Sequence, residues 1–226
     1  GTSAMSFDDV VRRVTAALAD LPQGNRSVLY LLLALVLGFV IGRSRRLPVF
    51  SYQNRGEQLV SDAVQKHFRP PDYHLMNHVT LQMNDGTTQV DHILVSRFGV
   101  FVIESKDYKG WIFANANQAN WTQVLFKWKF KFQNPIFQNL RHVRAVQRLL
   151  DFLPPGAIKS LVVFTGEAEF KTEIPPGVFH ITGLIDYLRT QTAEVMSLNR
   201  VQFCVGRLET ARLAISGKAD DEHVQS

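Results

Sequence analysis

Asp91 and the triplet Glu104-Ser105-Lys106, thirteen residues on, carry the residue types and the spacing that could do chemistry in this chain. Asp91 lies in the alternating stretch from Thr87 to Ser96; Glu104 and Lys106 end a second stretch from Val100, after the short connection Arg97-Phe98-Gly99. Both stretches read as strands joined by a tight turn. Residues two apart in a strand share a face, so Glu104 and Lys106 point one way and Phe101, Ile103 and Ser105 the other, and antiparallel pairing brings Asp91 alongside the first set. Two carboxylates on adjacent strands can share a hard divalent cation, magnesium being held by one or two carboxylates, waters and a substrate phosphate. The Lys106 ammonium can orient an attacking water or neutralise charge that develops on a phosphate. An acid-x-Lys pair on a solvated strand face does none of this, but Val100–Ile103 is an unbroken apolar run, as a central strand covered on both sides requires. Charges at the end of such a strand are costly unless paired or metal-bound.

Several elements must position these residues. A helix is expected to begin near Gln53, opened by Gly56-Glu57, with Leu59, Val60, Ala63 and Val64 at helical spacing. A strand from Tyr73 to Met83 follows, and Asn84-Asp85-Gly86 turns it back into the Asp91 strand. Residues 111–133 hold two more short strands. Asn134-Pro135 starts a helix to about Phe152, with Asn134 able to cap it and proline suited to its first turn. Gln138 and His142, four apart, share a face of that helix, and Arg141, Arg144 and Arg148 form a basic stripe on it. Leu153-Pro154-Pro155-Gly156 breaks the helix, Ile158 to Thr165 makes a buried strand, and helices are expected near 183–193 and 198–214, before a polar, disordered tail from Gly217.

The stretch from Phe126 to Phe132 alternates aromatic residues with Lys127, Lys129 and Lys131. One reading is an edge strand guarded by lysines against aggregation; the other is a cationic strip for a phosphate backbone. The formal charge of +5 suits a polyanionic partner without requiring one. The single cysteine, Cys204, excludes an internal disulfide and a cysteine-rich zinc site and reads as a buried small hydrophobe. His74, Met76 and His78 alternate on one strand but lack a further ligand. His92 points away from Asp91 and is structural, Ser105 has no base partner on its own face, and the glycines fit no nucleotide fingerprint. Trp111, Trp121 and Trp128 read as core aromatics; a tryptophan exposed beside the lysine strip would instead suit base stacking.

Residues 1–4 precede Met5 and read as a cloning scar. From Val28 to Gly42 the chain is uncharged and apolar all round, bounded by Arg26 and by Arg43, Arg45 and Arg46. Fifteen helical residues reach about 22 Å, short of a hydrocarbon core of about 30 Å, and snorkelling arginines recover part of the deficit. Residues 27–43 are therefore expected to anchor the chain as a single span, after an N-terminal segment, 1–26, with an amphipathic helix, and with the C-terminal part cytoplasmic.

Taken together, Gly56-Glu57, Gln89-Val90-Asp91-His92, Gly99 to Lys106, Gly110, Trp121, and Asn134-Pro135 followed by Gln138 resemble the NERD (nuclease-related) domain, a branch of the restriction-endonuclease-like nucleases with a D…E-x-K site. The resemblance covers roughly residues 52–168, leaving 169–216 as a helical extension and 217–226 as the tail. It implies an α/β restriction-endonuclease-like core, a mixed β-sheet flanked by helices in the order αβββαβ. It also implies a site in which Asp91 and Glu104 ligate Mg²⁺ or Mn²⁺, Lys106 positions water, Glu57 reaches in from the leading helix and Gln138 contributes from the later one. His142 stands where related nucleases often carry tyrosine, and its role is open.

The expectation is a nuclease of the bacterial inner membrane that acts on DNA, with RNA second. Lys127, Lys129, Lys131, Arg141 and Arg144 would lie against the nucleic acid, and two copies would pair to cut both strands. The alternative is a catalytically silent nuclease-fold module that binds nucleic acid or a protein partner at the membrane.

Overall fold

The computed structural model describes residues 47–224, and side chains over 55–215. The expected span at 27–43 lies outside the described residues, among which no helix is long and apolar enough to cross a membrane. All contacts below lie within the compact unit that starts at Tyr52.

The β2 (Gly86–Ser96) and β3 (Gly99–Lys106) pair is antiparallel, as alternation predicts, and β1 (Tyr73–Met83) joins β2 through the Asn84-Asp85 turn. On its other edge β3 runs parallel to β7 (Ile158–Phe164), and β7 parallel to β9 (Val178–His180), giving a mixed five-stranded sheet in the order β1-β2-β3-β7-β9. β3 is central, and Val100–Ile103 are buried on both faces. Toward one face pack Val60 and Val64 of α1 (Leu47–His67), Phe68 just past its end, and Leu184 and Leu188 of α3 (Ile181–Thr190), against Leu94, Phe101, Ile103, Leu161 and Val163. Toward the other pack Val143 and Val146 of α2 (Pro135–Leu149) and Val201, Cys204 and Leu208 of α4 (Leu198–Val224), against Ile93, Val95, Val100 and Val102. Cys204 is a buried free thiol among aliphatic neighbours.

A second sheet, β6-β5-β4-β8, is built from β4 (Gly110–Phe113), β5 (Asn120–Leu125), β6 (Trp128–Gln133) and β8 (Ala168–Phe170). It joins the rest through Ile112 and Trp121, with the Trp121 ring stacked at 6.2 Å on Phe164 of β7. Four expectations change here. Residues 111–133, read as two short strands, hold three, β4, β5 and β6, with Phe126 and Lys127 in the turn before the last. The segment from 169, read as a helical extension with helices near 183–193 and 198–214, first holds the end of β8 and then β9; strands this short carry too few residues for alternation to register. α4 continues to Val224, beyond its expected end near 214 and into the expected tail. α1 begins at Leu47, so Gly56-Glu57 lie inside it rather than opening it.

Two features place the site. Strict alternation fails at one point: Met76 on β1 and Ile93 and Val95 on β2 face the α2 side, and so do Val79, Leu81 and Val90. Both strands thus change face in step, at His78, whose φ is 53°, and at Asp91, while their mutual register continues from Asn77↔His92 to Val79↔Val90. The β2–β3 ladder ends at the same level, at His92↔Ile103. The second feature is α2, pinned at both ends of its first turns. Asn134 Oδ1 accepts from the Ile136 amide at 2.9 Å, and the buried Asn139 amide donates to Val102 O of β3 and Leu161 O of β7, both at 2.9 Å.

Gly56 explains itself by contact. A Cβ there would come 2.8 Å from Asp107 Cβ and 2.7 Å from Thr165 Oγ1, so α1 passes the ends of β3 and β7 with no room for a methyl group. A glycine inside a helix ordinarily costs about 1 kcal/mol against alanine. Here Gly56→Ala is expected to destabilise the protein, by about 1–3 kcal/mol in urea denaturation, as overpacking does; a gain in stability would show that the approach is not tight.

Candidate active site

The site grows from the point where β2 leaves β3. Beyond Ile103 the backbone of β3 has no ladder partner on that edge, and Asp91 supplies one from its side chain: Oδ2 accepts the Ser105 N–H at 2.9 Å and the Ser105 hydroxyl at 3.0 Å. Ser105, read as having no base partner on its own face, finds its partner across the strands in Asp91. Its hydroxyl donates to a carboxylate that is already engaged, which makes it a holder of Asp91 rather than a nucleophile. Glu104, 1% exposed, projects toward α2. Its Oε1 accepts from Lys106 Nζ at 2.5 Å and its Oε2 lies 3.1 Å from His142 Nε2. Lys106 Nζ also donates to Gln138 Oε1 at 3.0 Å. Two residues apart on β3, Glu104 and Lys106 share a face and meet Gln138 and His142, four apart on α2.

His142 was the open question, and its partners answer it. A carboxylate only accepts, so Nε2 carries the proton toward Glu104, and Nδ1, 2.8 Å from Thr88 Oγ1, is left to accept from that hydroxyl in the neutral ring. Thr88 and His142 are both buried, so the Thr88–His142–Glu104 chain is a fixed support for the carboxylate. The i, i+4 spacing of Gln138 and His142 was the one legible signal for it; nothing local marked Thr88, which meets α2 only through the fold.

Electrostatics divides the acids. Burial pushes Glu104 upward, but the His142 hydrogen bond and the Lys106 charge outweigh it and hold its pKa below the ordinary value. Asp91, 7% exposed, goes the other way: burial first, then the Glu104 charge, raise its pKa from 3.8 to about 6 against the lowering effect of the Ser105 amide. Glu57, buried and reaching in from α1, is raised by burial, lowered by His78, and feels the charges of both Glu104 and Lys106. Its Oε2 is 3.3 Å from His78 Nδ1, the residue at the strand kink. Glu57, Asp91, Glu104, Lys106 and Gln138 are thus brought together, with His142, Thr88, Ser105 and His78 added around them.

Among the described residues no three His, Cys, Asp or Glu side chains form a group that could hold a metal by themselves. The donor set that is present suits a hard cation that keeps waters: oxygen ligands only, with one buried carboxylate whose pKa is raised to about 6 by burial and by the Glu104 charge. His74 and His78, expected on one face, are parted by the kink; His74 Nε2 meets Gln202 at 2.9 Å instead. His92 is structural, its Nδ1 2.7 Å from Asn77 Oδ1.

The basic residues fall in two places. Lys127, Lys129 and Lys131 are exposed along β6 and the turn before it, at the edge of the second sheet. On α2, Arg141 pairs with Asp85 at 2.9 Å and Arg148 bonds Asn84, tying the stripe to the β1–β2 turn, while Arg144 lines a shallow depression with Asn84, Gln147 and Asp151. Of the three tryptophans only Trp121 is core; Trp111 and Trp128 are exposed, because β6 and the outer face of the small sheet extend past the packing that ends at Trp121 and Phe132.

The nuclease-related domain (NERD) family model matches residues 52–165. Among curated proteins, an uncharacterized protein of Bacillus anthracis is 42% identical over 97 residues, which make up 42% of this chain and 45% of the relative. The chain therefore matches less than half of that relative's length. No solved structure gives a significant match.

The raised pKa of Asp91 has a sign that can be measured. The folded protein keeps this proton to about pH 6 where the unfolded chain releases it near 3.8, so the carboxylate costs nothing below about pH 4, destabilises the metal-free fold progressively from there to about pH 6, and adds no further cost above. Asp91→Asn, whose Oδ1 can still accept from Ser105, is expected to match the wild type at pH 4 in EDTA and to exceed it at pH 7 by up to about 3 kcal/mol. A variant less stable than wild type at pH 7 in thermal denaturation would contradict this.

Proposed function

Because the chain belongs to the nuclease-related domain family, we propose that it is a metal-dependent nuclease that hydrolyses phosphodiester bonds, of DNA first and RNA second. The observation that carries the proposal is that Asp91 lies near enough to Glu104 and Lys106 to feel both charges where β2 and β3 part, with each acid held by its own hydrogen bonds. The core is read as restriction-endonuclease-like, with Asp91 and Glu104 as ligands for Mg²⁺ or Mn²⁺.

A divalent cation held by these two carboxylates would supply charge neutralisation of the scissile phosphate and acidification of water at the site. The chain's own residues do the rest. Lys106 has three N–H donors; Glu104 and Gln138 take two, and the third is aimed by them, for the attacking water or a phosphate oxygen. Water adds to phosphorus and gives up a proton, the bond to the leaving sugar oxygen breaks, and that oxygen takes up a proton. Gln138 fixes the ammonium, His142 fixes Glu104 and Ser105 fixes Asp91, so the geometry is set before substrate arrives. Glu57 adds negative charge beside Lys106, which favours a cationic occupant. The lysines of β6, with Arg141 and Arg144, lie against the nucleic-acid backbone, and two copies pair for cleavage of both strands. Residues 27–43 anchor the chain in the bacterial inner membrane with the nuclease domain cytoplasmic.

The full-length protein is expected to cut DNA with Mg²⁺ or Mn²⁺ and to stop in EDTA. Asp91→Ala and Glu104→Ala should each reduce the rate by at least about a hundredfold, and His142→Ala, acting through Glu104, by about 10–100-fold. Cleavage unchanged in both carboxylate variants would refute the assignment. Salt-sensitive DNA binding with no cleavage under any metal would return the chain to the silent-module reading.

A further inference from the structure

We infer that the β5–β6 hairpin is a base-stacking platform, and that the substrate it takes is nucleic acid with unpaired bases; this rests on the nuclease reading and narrows it. Register sorts the hairpin into two faces. Trp121 opposes Phe132, Gln123 opposes Phe130 and Leu125 opposes Trp128, so these six share one face; Lys129 and Lys131 oppose Val124 and Thr122 on the other. The first face begins as core, where Trp121 and Phe132 pack together, and then runs out of protein: Phe130 is 49% exposed and Trp128 63%. Successive aromatic rings stand two residues apart, about 6.8 Å along the strand, and the lysines that alternate with them in sequence project from the other face.

The turn points the same way. Leu125 pairs with Trp128, leaving Phe126-Lys127 as a two-residue connection in which Phe126 has φ 54° and is fully exposed. Glycine is the residue that suits such a position, and a phenylalanine there is strained. The strain is not offset by burial, and what it does provide is a third aromatic surface at the tip, beside Lys127. No carboxylate faces the lysines across the strand, since their partners there are Val124 and Thr122. Aromatic faces bind bases whatever their sequence, and Lys127 at the tip, with Lys129 and Lys131 on the other side of this edge strand, adds the positive charge that attracts the phosphate backbone.

The platform leads to the site. Phe132 packs edge-on against Tyr108 at 4.6 Å, and Tyr108 is two residues past Lys106. Gln123 Nε2 donates to Lys109 O at 2.8 Å, fixing the hairpin on the segment by which the chain leaves the site. A strand of unpaired bases laid on Trp128 and Phe130 is therefore aimed toward Tyr108 and Lys106. Trp111 lies on the opposite face of the sheet, with Lys171 Nζ 4.7 Å from its ring centroid, while Lys127 Nζ stands 5.8 Å from the centroid of Trp128, a cation beside the ring on which a base would stack. A duplex, with its bases stacked inside, offers nothing to these rings.

The test is fluorescence-anisotropy binding of the full chain in EDTA, so that binding is read without cleavage, to oligothymidylate, to an abasic strand and to a duplex of equal length. Trp128→Ala and Phe130→Ala are each expected to weaken oligothymidylate binding about tenfold, with the abasic strand and the duplex changed by no more than about twofold, and Trp128→Phe should restore most of the loss. Lys129→Ala should weaken all three. Equal losses on oligothymidylate and the abasic strand, no loss at all, or a wild type that does not bind single strands would overturn the inference. So would a Trp128→Ala variant that loses only binding to phosphatidylglycerol vesicles, since the tip would then be a membrane contact. Base-dependent binding in a protein that cuts nothing would uphold the platform while refuting the nuclease, and cleavage without base dependence would do the reverse.

Discussion

Glu104 is an acid buried to 1% exposure at the end of the central strand of the sheet, and the surrounding architecture answers the need to compensate it. An isolated carboxylate in such a place is strongly disfavoured. Lys106 reaches it from the next position on the same strand face, and His142 reaches it from α2. α2 can do so only because Asn134 caps its start and Asn139 inserts its amide between β3 and β7. Thr88 in turn fixes the His142 ring. Removing any one of these groups leaves another buried polar atom without its partner, which is why the arrangement behaves as a unit.

Compensation stops short of Asp91. Its carboxylate satisfies the Ser105 amide that β2 abandons when it turns away from β3, but it gains no cation of its own, and with Glu104 and Glu57 nearby the site holds more negative charge than Lys106 can balance. The divergence of the strands thus opens the site and leaves an electrostatic deficit in it. A polyanionic substrate would be repelled from such a place unless positive charge arrived with it, which is the physical case for a hard divalent cation as the missing partner.

Much of this could be read from the residues. Alternation located β1, β2 and β3 and their turns, the Asn134-Pro135 pair located the start of α2, and the i, i+2 and i, i+4 spacings put Glu104 with Lys106 and Gln138 with His142. What escaped was set by tertiary packing. The face switch at His78 and Asp91 leaves the β1–β2 register intact, so no local pattern reveals it. Gly56 looked like a helix start because its reason, the closeness of Asp107 and Thr165, lies far away in the chain. β8 and β9 are too short to show a period. Trp111 and Trp128 looked like core because large aromatics usually are; only the strand order shows that β6 is an edge with nothing beyond it.

The proposed chemistry requires one cation bound between Asp91 and Glu104. A crystal soaked in Mn²⁺ and measured at the manganese absorption edge tests it most directly. The predicted result is a single anomalous peak about 2.1 Å from a carboxylate oxygen of each residue, absent from Asp91→Asn crystals treated in the same way. No peak at that place, or a peak that survives the substitution unchanged, would contradict it.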